Sequence, residues 1–337
     1  MTTPVEYEID TLYPDLTGLL LGISIQNLDP TAVPTAIDAL MPTAGRATLR
    51  NRGGDPLTNK AKADKVSISA TALEGAEKYA RPNGDDYYAR IWGESNDVET
   101  LRKLREANKP VMLYGAPGTG KTAMVEAAFG DDLYTIIGSG DTELSDFVGG
   151  YVQTPSGSFE WVDGALVKSA EEGKPLLIDE IGLIDTKVLS ALYGLMDGRG
   201  EITITQNPER GTIKAQEGFY VVSATNPNAP GVRLSEALLS RFLVQVEMTT
   251  DWTLAKKLGV AQPMVTSAQN LSKKQASGEV SWSPQMRELL AFRDLSKLFG
   301  TKWAIANLLA GAPENDRPVV ADVLTRVFGE EIKPAKI

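Results

Sequence analysis

The 337-residue sequence contains no cysteine and no histidine. The absence of cysteine excludes disulfide bonds and thiolate chemistry. The absence of histidine excludes a histidine general base and a metal site built on imidazole ligands. Any metal site should therefore use oxygen ligands, which suit a hard ion such as Mg²⁺.

Long apolar runs and a basic leader are also lacking. The longest apolar candidate, Leu16 to Ile25, is far shorter than the roughly 18 residues that span a bilayer, and the N-terminus MTTPVEYEID is acidic. We therefore expect a cytoplasmic protein without a membrane partner. Acidic residues outnumber basic residues by 44 to 34, a formal charge of −10. This charge disfavours a dedicated nucleic-acid binder, although a local basic patch can still bind one.

The first 90 residues contain no catalytic motif, and we treat them as an N-terminal region of unknown fold and role. Leu16 to Ile25 is expected to form a strand or a short buried helix, and Val66 to Ala72 alternates like a strand. Residues 41–65 are basic. They form either a solvated loop or a contact for a phosphate backbone or an acidic partner.

The clearest motif is GAPGTGKT, from Gly115 to Thr122, which fits G-x-x-x-x-G-K-[ST]. It follows a short apolar run typical of a buried strand and precedes a helix-forming run. Its glycines let backbone N–H groups turn towards a phosphate, and the helix N-terminus adds partial positive charge. Lys121 is predicted to reach the β- and γ-phosphates, and Thr122 to hold Mg²⁺. The predicted nucleotide-binding residues of this stretch are Gly115, Ala116, Pro117, Gly118, Thr119, Gly120, Lys121, Thr122 and Ala123.

A second motif is PLLIDE, from Pro175 to Glu180, which reads as a buried parallel strand that ends in two carboxylates. Such a strand delivers acidic side chains to the carboxyl edge of a sheet, where ligands bind. Asp179 is predicted to orient Mg²⁺, directly or through water. Glu180 is predicted to polarise the attacking water.

Two polar residues further along complete the predicted catalytic set. Asn226 ends a buried strand. Its amide either holds the lytic water or touches the γ-phosphate, or the residue forms a plain Asn-Pro turn. Arg241 ends the helical stretch from Leu234 to Phe242. It serves either as an arginine finger for a neighbouring subunit's γ-phosphate or as a cation that favours a helix end.

The other stretches predict an α/β domain followed by helices. They are helices over 97–107, 142–148, 165–173 and 185–200, a strand from Leu133, hairpins over 149–164 and 200–218, a strand over 243–248, and helices over 251–259, 283–300, 301–312 and 318–329. Thr142 is the expected N-cap of the second helix. Ser283 and Pro284 are the expected start of the helix over 283–300.

Together these motifs resemble those of the AAA+ ATPases, and specifically the MoxR-like branch, which includes the small AAA+ subunit of cobalt chelatase and the modules of dynein and midasin. The resemblance covers about residues 91–337. GAPGTGKT is similar to Walker A, LLIDE to Walker B, SATNPN to the sensor 1 strand with Asn226, and ALLSRF to the arginine-finger element with Arg241. The hairpins resemble the family's inserts in helix 2 and before sensor 1, which line the ring's pore or face its substrate.

The resemblance implies an α/β fold of the AAA+ P-loop NTPase type. It implies a three-layer αβα domain with a parallel sheet over residues 91–250, two β-hairpin inserts, and a helical lid over 251–337. It further implies ATP and Mg²⁺ as cofactors, although no residue excludes GTP.

The assembly implied by the resemblance is a homo-oligomer, a hexameric ring that remodels a protein substrate or adaptor. Partners with a von Willebrand A domain are common in this branch. Two alternatives stay open. One is a nucleic-acid motor or restriction-type NTPase, supported by the basic residues 41–65. The other is a ring that nucleotide stabilises without hydrolysis.

One position departs from the family pattern. The family often has Ser-Pro-Arg at the lid helix, where the arginine is sensor 2, whereas this chain has Ser283, Pro284 and Gln285. The next arginine is Arg287, which is the candidate sensor 2. Two residues along a helix correspond to a rotation of about 200°, so Arg287 should face away unless the register shifts. Arg233 is a further candidate near the expected subunit interface, either as the arginine finger in place of Arg241 or as a second trans contact beside it.

Overall fold

The computed structural model describes residues 77–335. The predictions for Leu16 to Ile25, for the basic residues 41–65 and for Val66 to Ala72 lie outside the described residues. The described residues belong to one unit of the chain, which begins at Ser67.

Short strands and one helix precede the phosphate-binding loop. Their bounds are β1 (Lys78–Ala80), β2 (Asp86–Tyr88), β3 (Ile91–Trp92), β4 (Ser95–Asn96) and α1 (Asp97–Glu106). The strands form two antiparallel pairs, β1 with β2 and β3 with β4. Helix α1 starts where the Asn96 side chain accepts a hydrogen bond from the backbone N–H of Glu99, which is the usual way for asparagine to cap a helix.

The next part of the chain alternates strands and helices. The bounds are β5 (Val111–Tyr114), α2 (Lys121–Phe129), β6 (Tyr134–Ile137), α3 (Leu144–Val148), β7 (Gly149–Gln153), β8 (Phe159–Asp163), α4 (Ala165–Glu172), β9 (Pro175–Asp179), α5 (Thr186–Leu189), α6 (Tyr193–Met196), β10 (Glu201–Thr203), β11 (Thr212–Lys214), β12 (Tyr220–Thr225), α7 (Glu236–Leu239) and β13 (Val244–Glu247). Five of these strands form a parallel sheet in the order β13-β5-β12-β9-β6.

The order of the sheet positions the functional motifs. Strand β12, which Asn226 follows, lies between β5 and β9. Strand β5 leads into the phosphate-binding loop, and β9 leads into the acidic pair. Since the strands are parallel, their carboxyl ends lie at one edge of the sheet. The loop, the two acids and Asn226 are thereby brought to that edge.

The side chains of alternate residues in the central strands are buried on opposite faces of the sheet. On one face, Val111, Leu177 and Val222 pack with residues of α2. On the other, Met112 and Ile178 pack with residues of α3 and α4. Each such side chain stabilises the fold by about 1.5–3 kcal/mol when fully buried. Helices therefore cover both faces, and the predicted three-layer arrangement is confirmed.

Both predicted hairpins are confirmed. Strands β7 and β8 pair antiparallel, with Gly149 opposite Asp163, and β10 pairs with β11 in the same way. The turn of the second hairpin contacts the base of the first, because Arg210 lies 3.0 Å from Asp163 and 2.6 Å from Glu171 of α4.

The C-terminal part is helical, as predicted. Its helices are α8 (Trp252–Lys257), α9 (Gln262–Ala276), α10 (Met286–Phe299), α11 (Thr301–Gly311) and α12 (Arg317–Phe328). They share a hydrophobic core of their own, which includes Val265, Leu289, Ile305 and Val320. Helix α9 was not among the named predictions. None of the helices within residues 77–335 is long and apolar enough to cross a membrane.

Three expectations about helices need correction. Glu143, not Thr142, caps α3 through a reciprocal capping box with Asp146, since the Thr142 hydroxyl already accepts a hydrogen bond from the N–H of Ser139. Helix α10 starts after Gln285, which forms a capping box with Glu288, rather than at Ser283 and Pro284. The single helix expected over 185–200 is divided into α5, a 3₁₀ turn and α6.

Candidate active site

The phosphate-binding loop turns sharply from β5 into α2. Gly115 and Gly118 have φ values of 144° and 80°, which residues other than glycine rarely adopt. A Cβ at Gly115 would lie 2.3 Å from the carbonyl oxygen of Met248. The N-terminus of α2 has no side-chain cap. Its first N–H groups are therefore available to an anionic ligand such as a phosphate.

Lys121 lies inside this loop and is only 6% exposed. Its Nζ donates hydrogen bonds of 2.9 Å to the carbonyl oxygens of two loop residues, Gly115 and Ala116. Burial lowers the pKa of Lys121, while the carboxylates of Glu180 and Asp179 act in the opposite direction. The ammonium group is therefore held by the loop, within electrostatic range of the two acidic side chains.

The side chains of Thr122 and Asp179 meet directly. The Thr122 hydroxyl donates a hydrogen bond of 2.8 Å to Oδ2 of Asp179. Oδ1 of Asp179 accepts one of 3.0 Å from the backbone N–H of Glu180. A hydroxyl and a carboxylate side by side are the oxygen ligands that Mg²⁺ prefers, so the donor set fits the predicted metal.

Glu180 follows β9 in the left-handed region, with φ 50° and ψ 40°. A residue other than glycine held in this region costs on the order of 1 kcal/mol or more, and such residues cluster at functional sites. The carbonyl oxygen of Glu180 accepts a hydrogen bond of 3.0 Å from the N–H of Leu183. The turn places Glu180 in the wall of the cavity above the loop.

This cavity has a volume of about 400 Å³ and joins three parts of the chain. The predicted residues that line it are Pro117, Gly118, Thr119, Gly120, Lys121, Thr122, Ala123, Asp179, Glu180 and Arg287. Residues that the sequence did not predict also line it, namely Arg81, Asp86, Tyr87, Tyr88 and Arg90 from the N-terminal strands and Leu254, Leu258, Met286 and Leu290 from the helical part.

Arg287 reaches the site, so the expectation that it faces away is wrong. Its backbone N–H donates a hydrogen bond of 3.2 Å to the carbonyl oxygen of Gly118. The reason is that Gln285 is the N-cap of α10, with an extended backbone of φ −102° and ψ −173°. A rotation counted from Gln285 therefore does not apply, because the helix begins only at Met286.

The segment before residue 91, grouped above with the N-terminal region, supplies a buried clamp on the loop. Nη1 of Arg90 donates hydrogen bonds to the carbonyl oxygens of Thr119 and Thr249, at 3.1 and 3.2 Å. Its Nε lies 3.3 Å from the carboxylate of Asp97, which also accepts a hydrogen bond from Tyr87. No sequence pattern links Arg90 to the loop, because the contact is formed only by the fold.

Asn226 lies at the expected sheet edge, immediately after β12, but its amide is engaged locally. Its Oδ1 accepts a hydrogen bond of 3.2 Å from the N–H of Asn228. The Asn-Pro turn considered from the sequence is thus present, and Asn226 is not among the described residues that line the cavity.

Arg241 also lies away from the cavity of its own chain. Its guanidinium stacks on the ring of Tyr193, with Cζ 3.9 Å from the ring centroid. Nη1 donates a hydrogen bond of 2.6 Å to the carbonyl oxygen of Ala237. Arg233 is exposed, and its backbone N–H donates to the carbonyl oxygen of Gly182. Neither arginine is among the described residues that line the cavity.

The sheet order, the loop after β5 and the acidic end of β9 define an AAA+ domain with the α/β fold of P-loop NTPases. Residues 110–242 match the family model described as AAA domain (dynein-related subfamily). The match includes the loop, the acidic pair, Asn226 and Arg241, and it ends before the helical part.

Curated relatives were also found. The chain is 34% identical over 166 residues to midasin of Giardia intestinalis, a match that covers 46% of this chain and 3% of midasin. It is 28% identical over 242 residues to an uncharacterized protein of Staphylococcus saprophyticus, covering 66% of this chain and 90% of that protein. An uncharacterized protein of Staphylococcus aureus is 35% identical over 158 residues, covering 44% and 58%. The chain thus spans a small fraction of midasin and most of the S. saprophyticus protein.

Proposed function

We propose that this protein hydrolyses ATP with the help of Mg²⁺, in a ring of copies in which each site is completed by the neighbouring subunit. One observation carries the proposal. Lys121, Thr122, Asp179, Glu180 and Arg287 come from three separate elements of the chain and line a single cavity. These are the residue types that bind phosphate, bind Mg²⁺ and activate water in phosphoryl transfer, so their presence in one cavity supports the proposal.

Each residue of the cavity has a separate proposed role in phosphoryl transfer. The loop N–H groups and Lys121 bind the β- and γ-phosphate oxygens, and Arg287 adds a second cation from the lid. Thr122 and Asp179 would hold Mg²⁺, which when bound neutralises phosphate charge. Glu180 positions the attacking water and accepts its proton. Asn226 would assist from the same sheet edge once its amide leaves the local turn.

The position of the Arg241 side chain is an argument for the proposed ring. Because its side chain lies outside the cavity of its own chain, it is suited to act on the nucleotide of another copy. An arginine finger of this kind contributes about 10³–10⁵ to the rate of phosphoryl transfer. We propose a hexamer, as in the AAA+ proteins that the sequence resembles.

A protein partner is the substrate that we propose for the ring. The hairpin β7–β8 exposes apolar side chains at Tyr151, Val152, Phe159 and Val162, which are 45–64% exposed. Apolar side chains grouped on a surface are typical of sites that contact other proteins. The proposed activity is therefore remodelling of a protein substrate or adaptor, and a partner with a von Willebrand A domain is one candidate.

The direct test is phosphate release by the wild-type chain and by Glu180→Gln. The substitution keeps the shape of the side chain and removes the base, so kcat should fall about 10²–10⁴-fold while ATP affinity stays within about threefold. Glu209→Gln, at an exposed residue of the second hairpin, is the matched control and should behave as wild type. Hydrolysis that is unchanged in Glu180→Gln would reject the proposed mechanism.

A further inference from the structure

We propose that Tyr193 is a positioning residue that holds the guanidinium of Arg241 in the orientation in which it serves a neighbouring subunit. This inference rests on the proposed function, because it takes Arg241 to be the trans arginine. Tyr193 touches no part of the cavity described above, so its effect would pass entirely through Arg241.

The contact between the two side chains is unusually close for this molecule. Cζ of Arg241 lies 3.9 Å from the centroid of the Tyr193 ring. The other cation–aromatic contacts among residues 77–335 measure 5.3–6.0 Å. A guanidinium at the shorter distance lies directly against the ring face, where the attraction of the ring quadrupole is strongest.

The remaining polar contacts of Arg241 leave its guanidinium without a hydrogen-bonded carboxylate. Nη1 donates to the carbonyl oxygen of Ala237, and the buried Nε has no hydrogen-bond partner. Arg241 has no salt bridge within the described part of the chain. By contrast, Arg199 is paired at 2.8 Å with Asp197, and Arg210 is paired with two carboxylates. Arg241 also helps to lower the pKa of the nearby Asp197 carboxylate, after the larger effect of Arg199, but it forms no direct pair with it. The guanidinium can therefore pair with an anion from outside the chain.

The side chain of Tyr193 is held in place by its own contacts. Its ring packs against the core beneath the sheet, and its hydroxyl lies 3.5 Å from that of Ser235. Ser235 caps α7, the helix that precedes Arg241. The ring thus joins α6 to the start of α7, and a fixed ring fixes the plane of the guanidinium. An arginine that is already oriented loses less conformational freedom when it meets a phosphate.

The test compares Tyr193→Leu, which keeps apolar bulk, with Tyr193→Phe, which keeps the ring. We expect Tyr193→Leu to lower kcat about 3- to 30-fold, the range that corresponds to loss of one cation–aromatic contact. KM, the assembled mass and the melting temperature should stay close to wild type, and the phenylalanine variant should regain most of the rate. Tyr134→Leu is a matched control, because it removes a distant, longer contact with Lys174.

The decisive comparison is made in the Arg241→Ala background. If Tyr193 acts through Arg241, then Tyr193→Leu should cause no further loss of kcat in that background. An equal loss in both backgrounds, or a wild-type rate for Tyr193→Leu alone, would overturn the inference while leaving the trans role of Arg241 intact. A wild-type rate for Arg241→Ala would instead reject that trans role, and the inference with it.

Discussion

The backbone N–H of Arg287 donates a hydrogen bond to the carbonyl oxygen of Gly118, at 3.2 Å. This contact fixes the first turn of α10 against the phosphate-binding loop. Arg287 therefore lines the same cavity as Lys121 and Glu180. Nucleotide binding should accordingly depend on the helical part as well as on the sheet.

The first prediction concerns Arg287. Arg287→Ala should weaken ATP binding about 10- to 100-fold, because a hydrogen bond to a charged group contributes about 1.5–3 kcal/mol. Titration with a fluorescent ATP analogue measures the effect. Arg326→Ala, which removes an exposed arginine of the helical part paired with Asp322, is the control and should leave affinity unchanged. Equal affinities for the two variants would show that Arg287 does not bind the nucleotide.

The second prediction concerns Gly118. It distinguishes two effects of adding a Cβ there, the steric clash with a neighbouring residue and the strain of a positive φ. An alanine Cβ at Gly118 would lie 3.0 Å from Cβ of Arg287, whereas one at Gly157 would meet nothing within 4 Å. The φ values are similar, 80° and 86°, so the strain of the two substitutions is comparable. Gly118→Ala should abolish measurable nucleotide binding, and Gly157→Ala should not. Isothermal titration calorimetry on both variants decides the point.

The third prediction concerns the hydroxyl–carboxylate pair that would hold Mg²⁺. Thr122→Val should raise the Mg²⁺ concentration needed for half-maximal hydrolysis by about 10- to 100-fold, the range seen when metal-site residues are altered. Thr203→Val is the control, since it breaks a hydroxyl pair of similar length, 2.9 Å, on the second hairpin. If the two variants share one Mg²⁺ profile, then Thr122 is not a metal ligand.

The sequence predicted those parts of the site that depend on local pattern. The loop and the acidic strand end are short motifs with strict spacing, and the alternating burial of the central strands follows from their apolar runs. Arg287 was misplaced because the sequence did not reveal that Gln285 caps the helix from outside it. Successive residues of a helix differ by about 100°, and this angle does not hold between an extended cap residue and the helix that follows it.

Other parts of the site could not be predicted, because they depend on contacts between distant segments. Arg90 reaches Thr249, 159 positions away in the chain, and no periodicity encodes that pairing. The stacking of Arg241 on Tyr193 likewise arises where two short helices meet. Such contacts become visible only once the tertiary structure is known.

The fourth prediction concerns the Arg90 clamp. Arg90→Ala leaves the buried carboxylate of Asp97, which is 4% exposed, without its cationic partner. The free energy of unfolding should fall by about 3 kcal/mol, the typical loss when one partner of a buried ion pair is removed. Urea unfolding measures it. Lys302→Ala removes an exposed pair with Glu330 and should cost less than about 1 kcal/mol. Similar losses for both variants would contradict a structural role for the clamp.

The measurement that tests the central claim most directly is ATP hydrolysis by mixed assemblies of Arg241→Ala and Glu180→Gln subunits, with mass determined in parallel. Each variant alone should be nearly inactive. In an equal mixture, about a quarter of the sites combine an intact Glu180 with an intact arginine from the neighbour, so activity should return to about that fraction of wild type. Mixed assemblies that stay inactive, or an Arg241→Ala protein that hydrolyses ATP at the wild-type rate, would contradict a site shared between subunits.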